Sequence, residues 1–109
     1  MISDVHHVGI AVNDIAEAQR FYSEALGLPV VKEGEVPARG ARVALIAVGG
    51  AYLELVQPVE GGSPFAAHIE ERGEGLHHVA LRTDDVESLV AALREWDVPL
   101  EDAQPRDGF

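Results

Sequence analysis

Two histidine pairs and one isolated glutamate are the residues in this chain best suited to chemistry. His6 and His7 occur in "VHHVGIAVND", and His77 and His78 occur in "LHHVALRTDD", 71 positions further along. Glu54 is the lone acidic residue of "AYLELVQP". Imidazole and carboxylate together suit divalent ions such as zinc, cobalt, nickel, manganese or iron. Residues this far apart in sequence hold one ion only if the fold brings them together.

Strand alternation selects one histidine from each pair. In "HHVGIAV" the large aliphatic side chains are predicted to face a helix, so His7 faces the other way. The same alternation in "HHVALRT" selects His78, and it places His6 and His77 on the helix side.

The third candidate comes from the hairpin. In "AYLELVQP" the two leucines are predicted to face the core, which leaves Glu54 on the other face. If all three faces line one cavity, a carboxylate joins two imidazoles as a metal-binding set. Gly9 and Ala80, each two positions after a selected histidine, are predicted to leave room for a ligand above the ion.

The elements that must position these residues follow a recognisable order. "HHVGIAV" predicts a strand, and "NDIAEAQRFYSEALG" predicts an amphipathic helix that begins after Asp14 and ends at Gly27. "LPVVKEGEV" predicts a second strand, and "RVALIAV" and "AYLELVQP", joined by two glycines, predict a hairpin. A short helix, "SPFAAHIEERG", is predicted as a linker. The strand "HHVALRT", the helix "DDVESLVAALREWD" and a short strand "VPLED" complete the chain.

The second half repeats the first. A displacement of 71 positions places His6 on His77 and His7 on His78, which indicates two copies of one βαβββ unit around a shared cavity. We therefore predict an α+β fold of paired βαβββ modules in a single domain, residues 1–109. Module one covers 1–58, a linker helix covers 59–74, and an incomplete module two covers 75–109.

Composition narrows the classes of function. The formal net charge is −11, from 19 acidic and 8 basic residues, and this field would repel a phosphate backbone, so no nucleic-acid partner is expected. The longest apolar run, 43–56, is interrupted by glycines and Glu54, so no membrane span is predicted. The absence of cysteine and of a signal-like N-terminus favours a cytoplasmic location.

Three segments together resemble the vicinal oxygen chelate superfamily: "HHVGIAVNDIAEAQRFYSEALGL", "GARVALIAVGGAYLELVQP" and "SPFAAHIEERGEGLHHVALRTDDVESLVAAL". Within it the chain is most similar to the methylmalonyl-CoA epimerase family. This resemblance implies metal ligands at His7, Glu54 and His78, the three residues that alternation selects. It also implies a fourth ligand, a glutamate whose equivalent would lie near position 125, whereas this sequence ends at Phe109.

The resemblance also implies a reaction, namely epimerisation of methylmalonyl-CoA at C2 through a metal-stabilised enolate. Glu54 would be the catalytic residue that exchanges the proton, the substrate would be an acyl-CoA thioester, and the protein would be a homodimer. Cobalt is the expected divalent metal ion, with zinc, nickel, manganese or magnesium as alternatives. Because the fourth ligand is absent from the sequence, we expect impaired activity. The alternatives are a glyoxalase I-like lyase and a metal-free small-molecule binding module of the bleomycin-resistance type.

Overall fold

Five strands form one sheet in the computed structural model, which describes residues 1–59 and 63–101. The strands are β1 Ile2–Ala11, β2 Val30–Val36, β3 Ala41–Val48, β4 Ala51–Pro58 and β5 Gly75–Thr83, in the spatial order β2-β3-β4-β1-β5. The helices are α1 Ile15–Gln19, which continues as a π-helical segment Arg20–Ala25, then α2 Pro64–Arg72 and α3 Val86–Glu95, with a 3₁₀ turn at Pro37–Arg39. The predicted α+β class and the βαβββ order of the first unit are confirmed.

The centre of the sheet is β1, which pairs in parallel with β4 and antiparallel with β5. The first strands of the two predicted copies therefore lie side by side. Val8 pairs with Val79, its own counterpart in the repeat, so an approximate two-fold axis passes between these two residues. Side chains near Val8 and Val79 are consequently brought together across the axis.

One apolar cluster packs against each face of the sheet. One lies between the sheet and α1 and contains Val12, Ile15, Ala44, Ile46 and Leu55. The other lies beneath α2 and contains Ala41, Val43, Val56 and Phe65. Because neighbouring residues of β4 point to opposite faces, Leu55 belongs to the first cluster and Val56 to the second. Glu54 therefore shares its face with the α2 cluster.

The start of α1 is held by two polar contacts. The carboxylate of Asp14 accepts hydrogen bonds from the backbone N–H groups of Ala16 at 2.9 Å and Glu17 at 3.3 Å, as a helix cap does. The side-chain oxygen of Gln57, on β4, accepts a hydrogen bond from the N–H of Ile15 at 2.9 Å. These contacts fix α1 against the strand that carries Glu54.

Two local predictions are corrected. The helix after Asp14 changes to π-helical geometry at Arg20–Ala25, because apolar spacing over so few residues does not distinguish the two helix types. Residues 98–101 of the predicted strand "VPLED" are not a strand, and its last residue lies outside the described range. Instead, the N–H of Val98 donates to the carbonyl of Leu93 at 3.0 Å, which ties this segment to the end of α3.

The second copy is less buried than the first. No residue of α3 is buried, and Val79 and Leu81, which the pattern predicted to face a helix, are 51% and 53% exposed. The proposed limits of the two modules and the linker stay a prediction. None of the helices in the described part of the chain is long and apolar enough to cross a membrane.

We predict that Ile46→Ala destabilises the fold by about 2–5 kcal/mol, because it leaves a cavity in the cluster beneath α1. Val48→Ala, on the same strand but at an exposed position, is the matched control and is expected to cost less than about 1 kcal/mol. Urea unfolding followed by circular dichroism measures both. Equal losses would contradict the assignment of the core to this face.

Candidate metal centre

His7 and His78 meet across the pairing of β1 and β5. His7 is opposite Ala80, and His78 is opposite Gly9, two pairs related by the approximate two-fold axis. The Nε2 atoms of the two imidazoles lie 3.1 Å apart. Alternation therefore predicted correctly that these two side chains share a face and converge.

Gly9 makes this convergence possible. A Cβ atom added to Gly9 would overlap the imidazole of His78, so the ring lies directly over the glycine. The prediction that Gly9 leaves room for a ligand above an ion is therefore wrong for this residue, because its open space is already filled by His78.

Glu54 supplies the third donor atom. It lies on β4, next to Gly9 of β1 in the parallel register and opposite Leu45 of β3. Its Oε1 atom is 3.7 Å from Nε2 of His7 and 3.5 Å from Nε2 of His78. The centre of a triangle with these three sides is about 2.0 Å from each donor atom. Zinc keeps a distance of roughly 2.0–2.2 Å from nitrogen and oxygen ligands, so the three atoms can hold a divalent ion.

The burial of Glu54 supports a cation at this position. Glu54 is only 2% exposed, and its Oε1 atom has no hydrogen-bond partner among the described residues. A buried carboxylate oxygen without a hydrogen bond is costly unless a positive charge compensates it. A divalent ion between the three donors would provide that charge.

The prediction that His6 and His77 lie on the helix side is wrong. The pairing of β1 with β5 shifts register between Val5 and His7, and again between Gly9 and Ile10, so that His6 and His77 are extra residues in two symmetry-related bulges. Two successive residues at a bulge oppose one residue of the partner strand, which interrupts strict alternation. Each pair of histidines therefore lies side by side.

The bulges give each candidate ligand a neighbour. Nδ1 of His6 lies 2.8 Å from Nδ1 of His7, and Nδ1 of His77 lies 2.9 Å from Nδ1 of His78. A ligand histidine commonly donates its second ring N–H to a nearby acceptor, which orients the ring and fixes its tautomer. His6 and His77 are placed to accept those protons, which leaves both Nε2 atoms free for an ion.

Helix α2 supports one of these neighbours. The His77 ring packs against Phe65 at 4.7 Å and against His68 at 4.8 Å between ring centroids. The His6 ring contacts Tyr52 at 5.4 Å. The repeated His-His doublet was the only sequence signal for His6 and His77. Strict strand alternation places these two side chains on the wrong face, because it does not show a bulge.

Charge and burial shift two pKa values at the site. Burial acts to raise the pKa of Glu54, but the two imidazoles and Arg39 outweigh it, so the pKa lies below the ordinary value of 4.5. Burial lowers the pKa of His7 below 6.5, although the Glu54 carboxylate acts in the opposite direction. At neutral pH the site therefore offers an ionised carboxylate and an uncharged His7 ring, the forms that bind metals.

A cavity of about 370 Å³ reaches one of the three donor residues, His78. Its lining residues are Ala38, Arg39, Pro64, Phe65, His77, His78 and Glu101. The cavity reaches the candidate ligand His78, so a small molecule bound there would lie next to the ion. It is lined on one side by the 3₁₀ turn between β2 and β3, and on another by the start of α2.

Residues 6–109 match the family described as "Glyoxalase/Bleomycin resistance protein/Dioxygenase superfamily". The uncharacterised protein YqjC of Bacillus subtilis is 36% identical over 102 residues, which cover 94% of this chain and 73% of YqjC. The mitochondrial methylmalonyl-CoA epimerase of Bos taurus is 32% identical over 92 residues, which cover 84% of this chain and 53% of that protein. The chain thus spans about half the length of this mammalian relative.

A solved structure agrees with these sequence relatives. A variant of methylmalonyl-CoA epimerase from Streptomyces coelicolor, in complex with 2-nitronate-propionyl-CoA, superimposes with a TM-score of 0.94 at 29% identity. The match covers 99% of this chain and 81% of that chain.

We predict that Gly9→Ala displaces the His78 ring and weakens divalent-ion binding by at least about tenfold, because the new methyl group would overlap the ring that carries one of the three donor atoms. Gly50→Ala is the control, since a Cβ there meets no atom within 4 Å. Isothermal titration calorimetry with Co²⁺ measures both variants. Wild-type affinity in Gly9→Ala would show that the ring has another position from which to bind.

The lowered pKa of His7 predicts how the metal-free protein responds to pH. Between that lowered pKa and 6.5 the unfolded chain binds more protons at this residue than the folded chain does. The contribution of the uncharged His7 ring to the free energy of unfolding is therefore complete above pH 6.5 and decreases as the pH falls below it. Urea unfolding in the presence of a chelator, from about pH 5 to 8, tests this prediction. The free energy of unfolding is expected to change less with pH in His7→Gln than in the wild type. Greater stability on acidification would contradict the expected sign.

Proposed function

Because this chain belongs to the glyoxalase/bleomycin resistance protein/dioxygenase superfamily, we propose that it is a metal-dependent epimerase that inverts methylmalonyl-CoA at C2. The observation that carries the proposal is the triangle of His7, Glu54 and His78, whose donor atoms all lie within 4.8 Å of one another. The bovine and Streptomyces relatives support the substrate, because both are epimerases of this thioester.

His7 and His78 would hold the ion through Nε2, and Glu54 would hold it through Oε1. Cobalt is the ion we propose, with zinc, nickel, manganese or magnesium as alternatives. When bound, the divalent ion supplies Lewis-acid chemistry, because it withdraws negative charge from the carbonyl oxygens and makes the C2 proton more acidic. We further propose that the protein forms a homodimer and that it is located in the cytoplasm. The expected impairment of activity stays a prediction.

Glu54 moves the proton in this proposal. Its lowered pKa keeps the carboxylate ionised at neutral pH, and Oε2, which is not part of the triangle, accepts the C2 proton while the C–H bonding electrons pass into the enolate. Water then donates a proton to the opposite face of C2, which completes the inversion. Glu54 is only 2% exposed, so little of its carboxylate is open to bulk water. The cavity is lined by His78, which belongs to the same donor triangle as Glu54, and an acyl group bound in the cavity would lie beside that triangle.

The test separates proton removal from inversion. The Co²⁺-loaded protein is incubated with a single C2 epimer of methylmalonyl-CoA in D₂O, and both deuterium incorporation at C2 and formation of the other epimer are followed. His7→Ala and His78→Ala are expected to lower Co²⁺ affinity and deuterium incorporation by at least about 100-fold. Glu54→Gln is expected to lower deuterium incorporation at saturating Co²⁺ as well. Glu70→Gln, an exposed change on α2, is the control.

Three results would contradict the proposal, and two of them favour an alternative. Turnover of methylglyoxal with glutathione, without deuterium incorporation into the CoA ester, would indicate a glyoxalase I-like lyase. Absence of divalent-ion binding, or binding unaffected by both histidine changes, would indicate a metal-free binding module. Undiminished deuterium incorporation in Glu54→Gln would remove Glu54 as the base.

A further inference from the structure

Arg39 is the one arginine or lysine that lines the cavity in the described part of the chain. It ends the 3₁₀ turn Pro37–Arg39 between β2 and β3. Its Nη1 atom lies 3.9 Å from Oε1 of Glu54, and its side chain is 25% exposed. The guanidinium therefore points at the candidate metal centre and remains open to the cavity.

The backbone around Arg39 is held in place. Gly40 has a φ of +60°, a left-handed conformation that favours glycine. The N–H of Gly40 donates to the carbonyl of Pro37 at 3.0 Å, and the carbonyl of Gly40 accepts from the N–H of Val59 at 2.9 Å. Because the turn is tied to the end of β4, Arg39 is positioned before any ligand arrives.

The balance of positive and negative charges at the cavity indicates a function for Arg39. The carboxylate of Glu54 lies 3.9 Å from the guanidinium and belongs to the donor triangle, and Glu101 lines the same cavity as Arg39. These two carboxylates do not neutralise a divalent ion and a guanidinium together, and partly buried like charges repel each other strongly. With the ion bound, the positive charge at the site is therefore neutralised only when a ligand places further negative charge between the ion and Arg39.

We propose that Arg39 binds the free carboxylate of the substrate and makes the site selective for acyl-CoA thioesters that carry a carboxylate on C2. This inference rests on the proposed function and adds a specificity-determining residue to it. The planar guanidinium matches a carboxylate in a two-pronged geometry. Its place beside Glu54 directs it to the reacting end of the substrate, so a distant phosphate of CoA is not its ligand.

The test is calorimetric titration of malonate, propionate and inorganic phosphate into the Co²⁺-loaded full chain. Arg39→Gln is expected to weaken malonate binding by about tenfold to a hundredfold, the usual effect of losing a charge-assisted hydrogen-bonded pair, and propionate binding by less than about threefold. Arg39→Lys, which keeps the charge but loses the planar fork, is expected to restore part of the malonate affinity.

Arg42→Gln is the matched control, because Arg42 is exposed and pairs with Glu35 at 4.0 Å. It is expected to leave malonate affinity unchanged. Co²⁺ affinity should be equal to or higher than wild type in Arg39→Gln, since a positive charge near the ion has been removed. If Arg39→Gln fails to fold, Arg39→Lys still tests the inference through a several-fold loss of malonate affinity relative to propionate.

Malonate binding that changes less than about twofold in Arg39→Gln and Arg39→Lys, with Co²⁺ binding intact, would overturn this inference and leave the proposed function standing. Phosphate binding that depends on Arg39 as strongly as malonate binding would also overturn it, in favour of a phosphate subsite. Failure of the wild-type chain to bind a divalent ion would overturn the proposed function, and this inference with it.

Discussion

The buried carboxylate of Glu54 is the constraint on which the site depends. An ionised group at 2% exposure, with one oxygen that has no hydrogen-bond partner among the described residues, needs positive charge nearby. Two imidazoles and one guanidinium surround it at 3.5–3.9 Å. In the absence of an ion these groups compensate the carboxylate only partly, because His7 is mostly uncharged at neutral pH. The same arrangement that is costly without an ion would favour the binding of one, as proposed above.

The pairing of β1 with β5 converts a repeated sequence into a single site. Each copy contributes one histidine, and the axis between Val8 and Val79 brings the two together over small residues of the opposite strand. The two bulges then place His6 and His77 against the Nδ1 atoms of the candidate ligands. Bulges commonly re-aim side chains near active sites, and here the duplication produces the same bulge twice.

The sequence predicted more of the first copy than of the second. Sequence patterns predicted all five strands and the three helices, but the further strand "VPLED" that they predicted in the second copy is not a strand at 98–101. Alternation predicted that His7, Glu54 and His78 meet, although their roles as ligands remain a proposal. A period of two cannot show a bulge, because an extra residue becomes visible only when the partner strand and register are known. Arg39 was not predicted either, since it follows Pro37 in a turn without periodicity and reaches the site through the tertiary fold.

The most direct test of the central claim is a crystal structure of the chain grown with Co²⁺, with anomalous scattering measured at the cobalt edge. The account predicts one dominant anomalous peak about 2.0–2.3 Å from Nε2 of His7, Nε2 of His78 and Oε1 of Glu54. Those three donor atoms should otherwise remain near their present separations. A map without a peak among these atoms, or with the ion bound elsewhere on the chain, would contradict the account.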